Sequence, residues 1–472
     1  MSTKELAEAT KRMFLPFMQM KEFTEDPLIL AEGDGIYVTD VDGRRFIDGI
    51  SGIFTCNLGY RNERVIEAVK AQLDRLHFHL LMYSTNERAL ELTDLLCEIT
   101  PPQFNTVHLV SGGSEATETA MKIARQYHRQ TGQPGRYKII SRYWSYHGGT
   151  MGALAASGGA VRKGVYEPFP TGFVHIPPPF CYRCPFNLEY DECGIVCAEM
   201  LDEVIVGEGP ETVAAFIAEP IIAAGDGFVC PPPEYFKIIR EICDRHGVVM
   251  IMDEIITGFG RTGKMFASEL FDVWPDILVM GKGMSGGYYP LAATMITDEI
   301  AGAFWGDTEE MVQFHAGHTF GGSPLAGAAG VAAIRELIEQ DLPANAASVG
   351  GRMKKKLAAL ANKHEVIGQV TGEGLLLGIE YVRDRATHEP FPEDVAFAKQ
   401  VDAACRKRGL ITRPSSHVQI IAPPLILTDE QADEIVDTID AAIQEVTTGM
   451  AKSNVGPAGK TGAASPADGA AG

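Results

Sequence analysis

The sequence has no long apolar segment and is short of basic residues. No stretch approaches the ~20 uninterrupted apolar residues that a membrane-spanning helix needs, so we expect no membrane span. Only 41 Lys and Arg residues stand against 62 Asp and Glu, a formal charge of −21, which argues against nucleic acid or an anionic membrane surface as a partner. The opening residues, MSTKELAEATKRMF, contain no apolar signal core. We therefore expect a cytoplasmic protein that binds neither nucleic acid nor membrane.

Cysteine is sparse, and four of the nine cysteines lie close together in the sequence, at Cys181, Cys184, Cys193 and Cys197. A C-x2-C pair is typical of structural zinc, but the second pair is C-x3-C, and the aromatic residues between the cysteines indicate a packed surface loop. We expect reduced structural thiols and no metal site, with zinc or a disulfide as the alternatives. His315 and His318 form an isolated H-x-x-H, which we interpret as structural.

The sequence is rich in alternating strand and helix patterns over its 472 residues, enough for two or three domains. Short apolar runs rich in β-branched residues predict strands at Thr106–Val110, Lys138–Ile140, Val213–Ala218, Val248–Asp253 and Asp276–Met280. Helical patterns such as Ser114–Arg129 and Glu234–His246 separate many of them. This alternation predicts an α/β fold with a parallel sheet covered by helices, whose ligands gather beyond the carboxyl ends of the strands.

Three further elements are predicted near the ends of the chain. GIYVTDVDGRRFIDG reads as a hairpin with a turn at Asp42–Gly43. Residues 430–446 have apolar residues at helical spacing, which predicts a helix. The segment from Ala451 is small, polar and rich in Gly, Ala and Pro, and we expect a disordered tail.

The stretch VVMIMDEIITGFGRTGK, residues 248–264, matches two nucleotide-binding motifs in part. The glycines spell G-x-G-x-x-G, and Gly258 to Lys264 spell most of a Walker A loop. Met265 stands where Walker A requires Ser or Thr, and the residues before Pro275 are too few for the helix of a dinucleotide site. The glycines therefore predict a sharp loop and no nucleotide site.

Two residues that end apolar runs indicate a different cofactor. Asp253 and Ile255 share one face of their strand, which suits a carboxylate on a protonated ring nitrogen and an apolar side chain on the ring face. Lys282 follows another buried strand between two glycines, where desolvation favours the neutral amine that forms Schiff bases. The alternatives are that Asp253 caps a turn and that Lys282 lies in solvent.

Two further features complete the set. Gly113 and Ser114 lie where a strand passes through SGG into a helix, and the free amides of such a helix start bind anions, although Ser114 alone could be a cap. Tyr146, in WSYHGG, offers an aromatic ring for stacking. A phosphate cradle, a stacking ring, an acid for a ring nitrogen and a Schiff-base lysine together describe a pyridoxal phosphate site.

From about residue 30 to 445 the chain resembles the class III aminotransferases, the ω-aminotransferase branch of fold-type I pyridoxal phosphate enzymes. The motifs that carry this likeness are SGGSEATETAMKIAR, YHGGT, AEP, DEIITGFGRTG, GKG, HTFGGSP and RPSSHVQIIAPPL. The resemblance implies a large cofactor-binding domain with a mostly parallel seven-stranded sheet, and a smaller α+β domain built from both chain ends. The expected boundaries are residues 1–60 and 331–450 for the small domain, 61–330 for the large domain and 451–472 for the tail.

The resemblance also implies roles for the cofactor-binding residues. Lys282 would form the Schiff base and shuttle the proton, and Asp253 would keep the ring nitrogen protonated. Tyr146 and Ile255 would sandwich the ring, and Gly113 and Ser114 would bind the phosphate. Thr319, in HTFGGSP, would reach the phosphate of the neighbouring subunit, so the active unit would be a homodimer or homotetramer with shared sites.

A second group of residues is implied for substrate binding. Glu219 and Arg413 resemble the family's switch pair, in which the arginine binds a substrate carboxylate bidentately or moves aside for substrates without one. Phe54 would be a pocket aromatic, with ordinary core as the alternative. The chain departs from its relatives at Ser416 and His417, which bears on how freely Arg413 moves.

The resemblance implies a ping-pong transaminase that moves an amino group from an ω-amino acid or primary amine to a keto acid, with pyruvate as the expected acceptor. A decarboxylase or amino-alcohol phosphate phospholyase on the same fold is the main alternative, because it would use the same lysine and acid. An aminomutase and a non-catalytic scaffold are the remaining ones.

Overall fold

A computed structural model of the chain describes residues 2–225 and 228–452. The strands are β1 Leu30–Asp34, β2 Tyr37–Asp40, β3 Arg45–Asp48, β4 Phe104–Val110, β5 Lys138–Arg142, β6 Phe173–Ile176, β7 Val213–Ala218, β8 Val249–Asp253, β9 Ile277–Met280, β10 Ala292–Thr297, β11 Ile367–Glu373, β12 Leu376–Asp384, β13 Glu389–Pro390, β14 Leu410–Ile411, β15 Arg413–Ser415 and β16 Val418–Ile421. The helices are α1 Thr3–Thr10, α2 Met20–Glu25, α3 Ser51–Phe54, α4 Glu63–Leu73, α5 Glu87–Glu98, α6 Gly113–Gln130, α7 Met151–Ala156, α8 Ala160–Lys163, α9 Val196–Glu208, α10 Tyr235–His246, α11 Ser268–Phe271, α12 Asp298–Gly302, α13 Pro324–Glu339, α14 Leu342–Ala359, α15 Phe397–Lys407 and α16 Asp429–Lys452.

The central sheet has seven strands in the order β4-β10-β9-β8-β7-β5-β6. Only β10 runs antiparallel to its two neighbours; the other pairings are parallel. The predicted α/β fold with a mostly parallel seven-stranded sheet is therefore confirmed, and each of the five predicted strands forms. The sequence reading did not identify β6 and β10, because FVHI is very short and AATMIT begins with two alanines, which have a weak preference for strands.

Two smaller sheets lie outside the central one. One has the order β1-β2-β3-β14, in which Leu410 and Ile411 pair with Ile47 and Asp48. The other has the order β11-β12-β16-β15, with β13 paired to β12. Strands from the two ends of the chain therefore share one sheet, whereas the residue boundaries given above for the domains stay a prediction.

The hairpin and the last helix form as predicted. β2 and β3 pair antiparallel across the turn, where Gly43 has φ +82°, a conformation that suits glycine. Helix α16 buries one stripe of apolar residues, Ile435, Ile439, Ile443 and Val446. It continues to Lys452, and the rest of the predicted tail, residues 453–472, lies outside the described residues.

Buried apolar and small residues fix the strands and the helix that carry the site residues. Strands β7, β8 and β9 are buried along their whole length because helices cover both faces of the sheet. Helix α6 buries Ala116, Ala120, Ile123 and Ala124, at helical spacing, against this sheet. Across residues 2–225 and 228–452, no helix has both the length and the apolar character needed to cross a membrane.

Candidate active site

The predicted cofactor residues follow four strands at the same edge of the central sheet. Gly113 begins helix α6 just after β4, and Tyr146 lies in the loop after β5. Asp253 is the last residue of β8, and Lys282 comes two residues after the end of β9. Glu219 comes directly after β7. Because the parallel strands end together, residues separated by up to 169 positions along the chain meet at one place.

Asp253 is buried and paired with a histidine that the sequence reasoning did not single out. Its Oδ2 lies 2.8 Å from Nδ1 of His147, and the two side chains are 3% and 0% exposed. Its Oδ1 accepts a hydrogen bond of 3.2 Å from the backbone N–H of Ile255. The carboxylate is therefore fixed by side-chain and backbone contacts, and the alternative that Asp253 merely caps a turn does not explain its pairing with His147.

Lys282 lies in a strained turn among charged groups. Its φ is +45°, in the left-handed region, and it starts a short 3₁₀ helix that runs to Ser285. Burial lowers the pKa of Lys282 to about 8, although Asp253 and Glu219 oppose that shift and Arg413 adds to it. An amine with this pKa is neutral for part of the time near neutral pH, as a Schiff-base or proton-transfer lysine must be. The alternative of an ordinary lysine in solvent is therefore disfavoured.

The start of α6 lies in a narrow corner between two glycine-containing turns. The N-cap is Gly112, so Ser114 lies inside the first turn, and its Oγ instead accepts a hydrogen bond of 3.0 Å from Gly149 N–H. A Cβ on Gly113 would lie 2.8 Å from Cδ1 of Ile255. A Cβ on Gly148, which has φ +142°, would lie 2.6 Å from the Oγ of Ser114. Both glycines keep this corner narrow, with free amides of a long helix at its base.

Glu219 is a buried acid with one free oxygen. Its Oε1 accepts a 2.7 Å hydrogen bond from Tyr146 N–H, and Arg142 donates to its backbone carbonyl. Its Oε2 is buried and has no hydrogen-bond partner in the described part of the chain. Burial raises the pKa of Glu219 to about 7, an effect that His147 opposes and Asp253 reinforces. This carboxyl can therefore change its charge near neutral pH.

Arg413 lies near the site without a carboxylate partner. Its Nη1 is buried with no hydrogen-bond partner among residues 2–225 and 228–452, and its guanidinium lies 5.8 Å from the ring centroid of Phe54. It makes no ion pair with Glu219 in this conformation. Phe54 is 1% exposed and packs in an apolar cluster that Tyr146 also contacts, so it is at once a core residue and a neighbour of the arginine.

The two residues that depart from the family pattern are anchored to other parts of the chain. His417 lies 3.3 Å from the Oε1 of Glu380, and Arg183 contacts both side chains. Ser416 has φ +54° and hydrogen-bonds the ring of His417 at 3.0 Å. The turn that follows Arg413 is thus attached to the cysteine-containing loop, which limits the movement of the backbone beneath the arginine.

Thr319 does not join the other site residues within one chain. It is exposed, next to Phe320, which is 58% exposed. Its neighbour His318 lies 3.5 Å from Glu115, in the first turn of α6, while His315 is exposed. The described structure therefore places Thr319 on the outer surface.

The clustered cysteines and the glycine loop both lie in packed surroundings. All nine cysteines are free, and the four clustered ones line a small apolar cavity with Phe180 and Pro185. Within the described residues, no group of three or more His, Cys, Asp or Glu side chains is arranged to hold a metal ion. Arg261, in the glycine loop, is fully buried and bonds to backbone and side-chain oxygens. The helix that follows the loop, α11, has only four residues, which is too short for a dinucleotide site.

The residues that sequence reasoning missed share one property: their neighbours are distant in the sequence. His147 meets Asp253 across 106 positions. The guanidinium of Arg162 lies 4.6 Å from the ring centroid of Tyr146 and 5.0 Å from that of Phe17. The only available signal for His147 was its position beside Tyr146 in YHGG, and no local pattern marks Arg162 or Phe17.

The residues present fit a pyridoxal phosphate group. The narrow corner at Gly113 and Ser114 suits its phosphate, and the buried carboxylate of Asp253 suits its ring nitrogen. Ile255 and Tyr146 offer apolar surface for the ring, and Lys282 has the lowered pKa that a Schiff-base amine needs.

Comparison with known proteins agrees with this chemistry. The family model described as aminotransferase class-III matches residues 19–443. An adenosylmethionine-8-amino-7-oxononanoate aminotransferase of Geobacter sulfurreducens is 38% identical over 93% of this chain and 97% of the relative. A taurine–pyruvate aminotransferase of Bilophila wadsworthia is 37% identical over 91% of this chain and 94% of the relative.

Solved structures resemble the chain equally well. An amine transaminase from an uncultivated Pseudomonas species, in a PLP-bound form, matches with a TM-score of 0.88 and 35% identity, covering 92% of this chain and 99% of that one. An (S)-enantioselective ω-transaminase from Thermomicrobium roseum matches with a TM-score of 0.90 and 35% identity, covering 94% of this chain and 99% of that one.

Proposed function

The chain belongs to the class III aminotransferases, which depend on pyridoxal phosphate, and on this premise we propose that it moves an amino group from an ω-amino acid or primary amine to a keto acid, pyruvate. The two half-reactions follow a ping-pong order. The observation that carries the proposal is the buried Asp253–His147 pair beside a lysine whose pKa is about 8. Pyridoxal phosphate, when bound, supplies an electron sink for the charge left when a bond at the donor carbon breaks.

In this proposal the protein's own residues bind, orient and move protons. The Nζ of Lys282 would hold the cofactor and would take the proton from the donor Cα, which requires the neutral amine. Asp253, held by His147, keeps a proton on the ring nitrogen. Tyr146 and Ile255 hold the ring between them, and the amides around Gly113 and Ser114 bind the phosphate.

Arg413 and Glu219 would sort substrates by charge. The free guanidinium nitrogen of Arg413 is available for the carboxylate of a keto acid. Glu219, with one oxygen free, is available to pair with Arg413 when the substrate carries no acid there. Phe54, next to the guanidinium, would line the same pocket. These roles rest on the family likeness together with the unpaired atoms.

The active unit in this proposal is at least a homodimer. Near Thr319 lies an apolar patch in which Leu81, Met82, Tyr83 and Phe320 are exposed. The half-buried Phe78 belongs to it, because its ring centroid lies 5.4 Å from that of Phe320. Apolar patches of this kind mark protein–protein contacts. A second copy seated on this patch would bring its Thr319 towards the phosphate corner of the first.

The names of the relatives point to two different substrate classes. The Bilophila relative is named for taurine and pyruvate, which favours an ω-amino acid donor and pyruvate as acceptor. The Geobacter relative is named for an amino-oxononanoate substrate, which makes that class of reaction a second candidate. A decarboxylase or phospholyase would use the same lysine and acid and differ only in which donor bond breaks.

A half-reaction spectrum tests the proposal. We expect the purified protein, reconstituted with pyridoxal phosphate, to be yellow, and one class of donor among β-alanine, taurine, a diamine, glutamate and an arylalkylamine to bleach the band without any keto acid. Pyruvate should then restore the band. Lys282→Ala should show neither the bleaching nor the restoration, because it lacks the proton-transferring amine.

Three outcomes would contradict transamination. A protein that stays colourless after reconstitution would remove the cofactor assignment. A yellow protein that no donor bleaches, but that releases carbon dioxide or phosphate from a donor, would be a decarboxylase or phospholyase. Turnover of a donor without added keto acid would indicate an aminomutase.

A further inference from the structure

Arg162 places a guanidinium next to Tyr146, the aromatic ring of the site. It lies on the short helix α8, and it is partly buried. Its guanidinium carbon is 4.6 Å from the ring centroid of Tyr146 and 5.0 Å from that of Phe17, which lies in the N-terminal segment. Two aromatic rings at this range hold an arginine side chain in place without neutralising its charge.

The two arginines share one electrostatic environment. Burial lowers the pKa of Arg413 to about 10, and the charge of Arg162 adds to that effect. The positive charge of Arg162 therefore disfavours the protonated form of Arg413. An anion bound near both guanidiniums would relieve this repulsion.

Neither arginine has an anionic partner in the described part of the chain. Arg162 and Arg413 take part in none of its ion pairs, although most of the chain's other buried or half-buried arginines do, as Arg64, Arg88, Arg183 and Arg240 illustrate. The Nη1 of Arg413 is also buried with no hydrogen-bond partner. Two unpaired guanidiniums beside one tyrosine, in a chain of net charge −21, form a local site for anions.

Pyruvate carries a single carboxylate that Arg413 alone can bind, so binding of the acceptor does not require Arg162. We propose that Arg162 binds the acid group at the far end of the amino donor, while Arg413 binds the carboxylate of the keto acid acceptor. The donor class is then an ω-amino acid with a terminal carboxylate or sulfonate, and not a plain amine. This inference rests on the proposed function of the site and specifies its donor.

The alternative is a purely structural role, in which Arg162 only packs between Phe17 and Tyr146. The two roles separate experimentally because ping-pong kinetics give the KM of the donor and of pyruvate independently. The variants are Arg162→Met, which keeps the packing volume and removes the charge, and Arg162→Lys, which keeps the charge. Arg129→Met, an exposed arginine in the last turn of α6, is the matched loss of charge away from the site.

The substrates form matched sets with and without the acid. β-Alanine and taurine carry a carboxylate and a sulfonate, and propylamine carries neither. Arg162→Met should raise the KM of β-alanine or taurine by roughly 10- to 100-fold, the range expected for a lost charge-assisted contact. The KM of pyruvate and the kcat with propylamine should stay within about twofold. Arg162→Lys should recover part of the loss, and Arg129→Met should match the wild type.

A binding measurement provides a readout that does not depend on turnover. Propionate and ethanesulfonate carry the acid group but no amine, and their affinity for the wild-type holoenzyme can be measured by titration calorimetry. Arg162→Met should weaken the tighter of the two by roughly tenfold or more. The preference of the wild type between these two anions identifies the acid as a carboxylate or a sulfonate.

Three outcomes would overturn the inference. An equal loss for acidic donors and propylamine, with altered visible absorbance, would give Arg162 a structural role. A rise in the KM of pyruvate instead of the donor would assign Arg162 to the acceptor, and no change in any parameter would leave it without a role in binding. A last combination separates the two proposals: Arg162→Met loses anion binding, but no donor bleaches the wild-type protein. This result would support the anion site and refute only the transaminase proposal.

Discussion

Glu219 shows how single buried charges set the chemistry of the site. Its carboxyl group is 3% exposed, keeps one oxygen unpaired and has a pKa of about 7, because burial disfavours the carboxylate. Lys282 has a pKa of about 8 for the same physical reason acting on the opposite charge. Glu219 and Lys282 therefore both titrate near neutral pH, next to Arg413, which stays positively charged. The net charge of the pocket can then change when a substrate binds.

The stability of the apoenzyme should depend on pH through Glu219. Since its pKa is raised by folding, its contribution to stability is present below about pH 4.5 and is lost as the pH rises through 7. Glu219→Gln removes this loss while its side-chain oxygen can still accept from Tyr146 N–H. We expect the variant to gain about 2 kcal/mol in free energy of unfolding, relative to wild type, between pH 5 and pH 8.

Urea unfolding of the apoenzymes at the two pH values measures this gain. Glu189→Gln, at an exposed position, is the control and should show no comparable change. A constant difference between Glu219→Gln and wild type at both pH values would show that the carboxyl does not titrate in this range.

At the scale of elements, the glycine loop after β8 connects parts of the chain that are far apart in sequence. Arg261 is fully buried and donates to the backbone carbonyls of Leu375 and Pro423. It also donates to Ser51 Oγ at 3.2 Å and to the side-chain oxygen of Asn57. The N-terminal segment, the central sheet and the C-terminal region therefore meet on one side chain, which explains the loop better than nucleotide binding does.

Removing this side chain should destabilise the protein strongly. Arg261→Met leaves several buried oxygens without donors, and we expect a loss of about 3–5 kcal/mol in the free energy of unfolding. Arg261→Lys should lose less, since an ammonium group can still donate to some of them. Urea unfolding with Arg129→Met as control tests this expectation; a loss for Arg261→Met no larger than the control's would show that the contacts are dispensable.

At the scale of the whole molecule, one chain leaves the site incomplete. Thr319 is exposed beside the apolar patch formed by Phe78, Leu81, Met82, Tyr83 and Phe320, and within the described residues no ion pair or side-chain hydrogen bond joins it to the other site residues. The patch and the threonine lie together, so an association that buries the apolar surface also moves Thr319 to a partner.

Mixed dimers test whether sites are shared. Lys282→Ala and Thr319→Ala homodimers should each have low activity, because one lacks the amine and the other lacks the phosphate contact. Unfolded and refolded together, they should form heterodimers with one intact site, in which Lys282 of one chain works with Thr319 of the other. About a quarter of the wild-type activity should return in a statistical mixture of equal amounts.

One outcome of the mixing experiment would contradict shared sites. Activity of the mixture equal to the mean of the two homodimers would place Thr319 in the site of its own chain. Phe320→Asp should lower activity together with oligomer size in sedimentation, whereas Val206→Asp, at an exposed position on α9, should change neither.

The sequence by itself determined the features that depend on local pattern. The five apolar runs became strands because β-branched residues favour extended backbone, and the residues that follow them lie at one sheet edge because parallel strands end together. The α/β fold, the family, and the positions of Asp253, Lys282 and the start of α6 follow from these patterns. Their catalytic roles stay predictions for the experiments above.

The tertiary structure determined which distant residues are in contact. No local pattern places His147 against Asp253, Arg162 against Tyr146, or Arg261 against the two ends of the chain, because these contacts join residues more than a dozen positions apart. The insertion of β10 between β4 and β9 is likewise a matter of chain path, since AATMIT does not by itself specify the strands with which it pairs. The charge of the pocket follows from these neighbours, because burial and nearby charges, and not residue type, set the pKa values of Glu219 and Lys282.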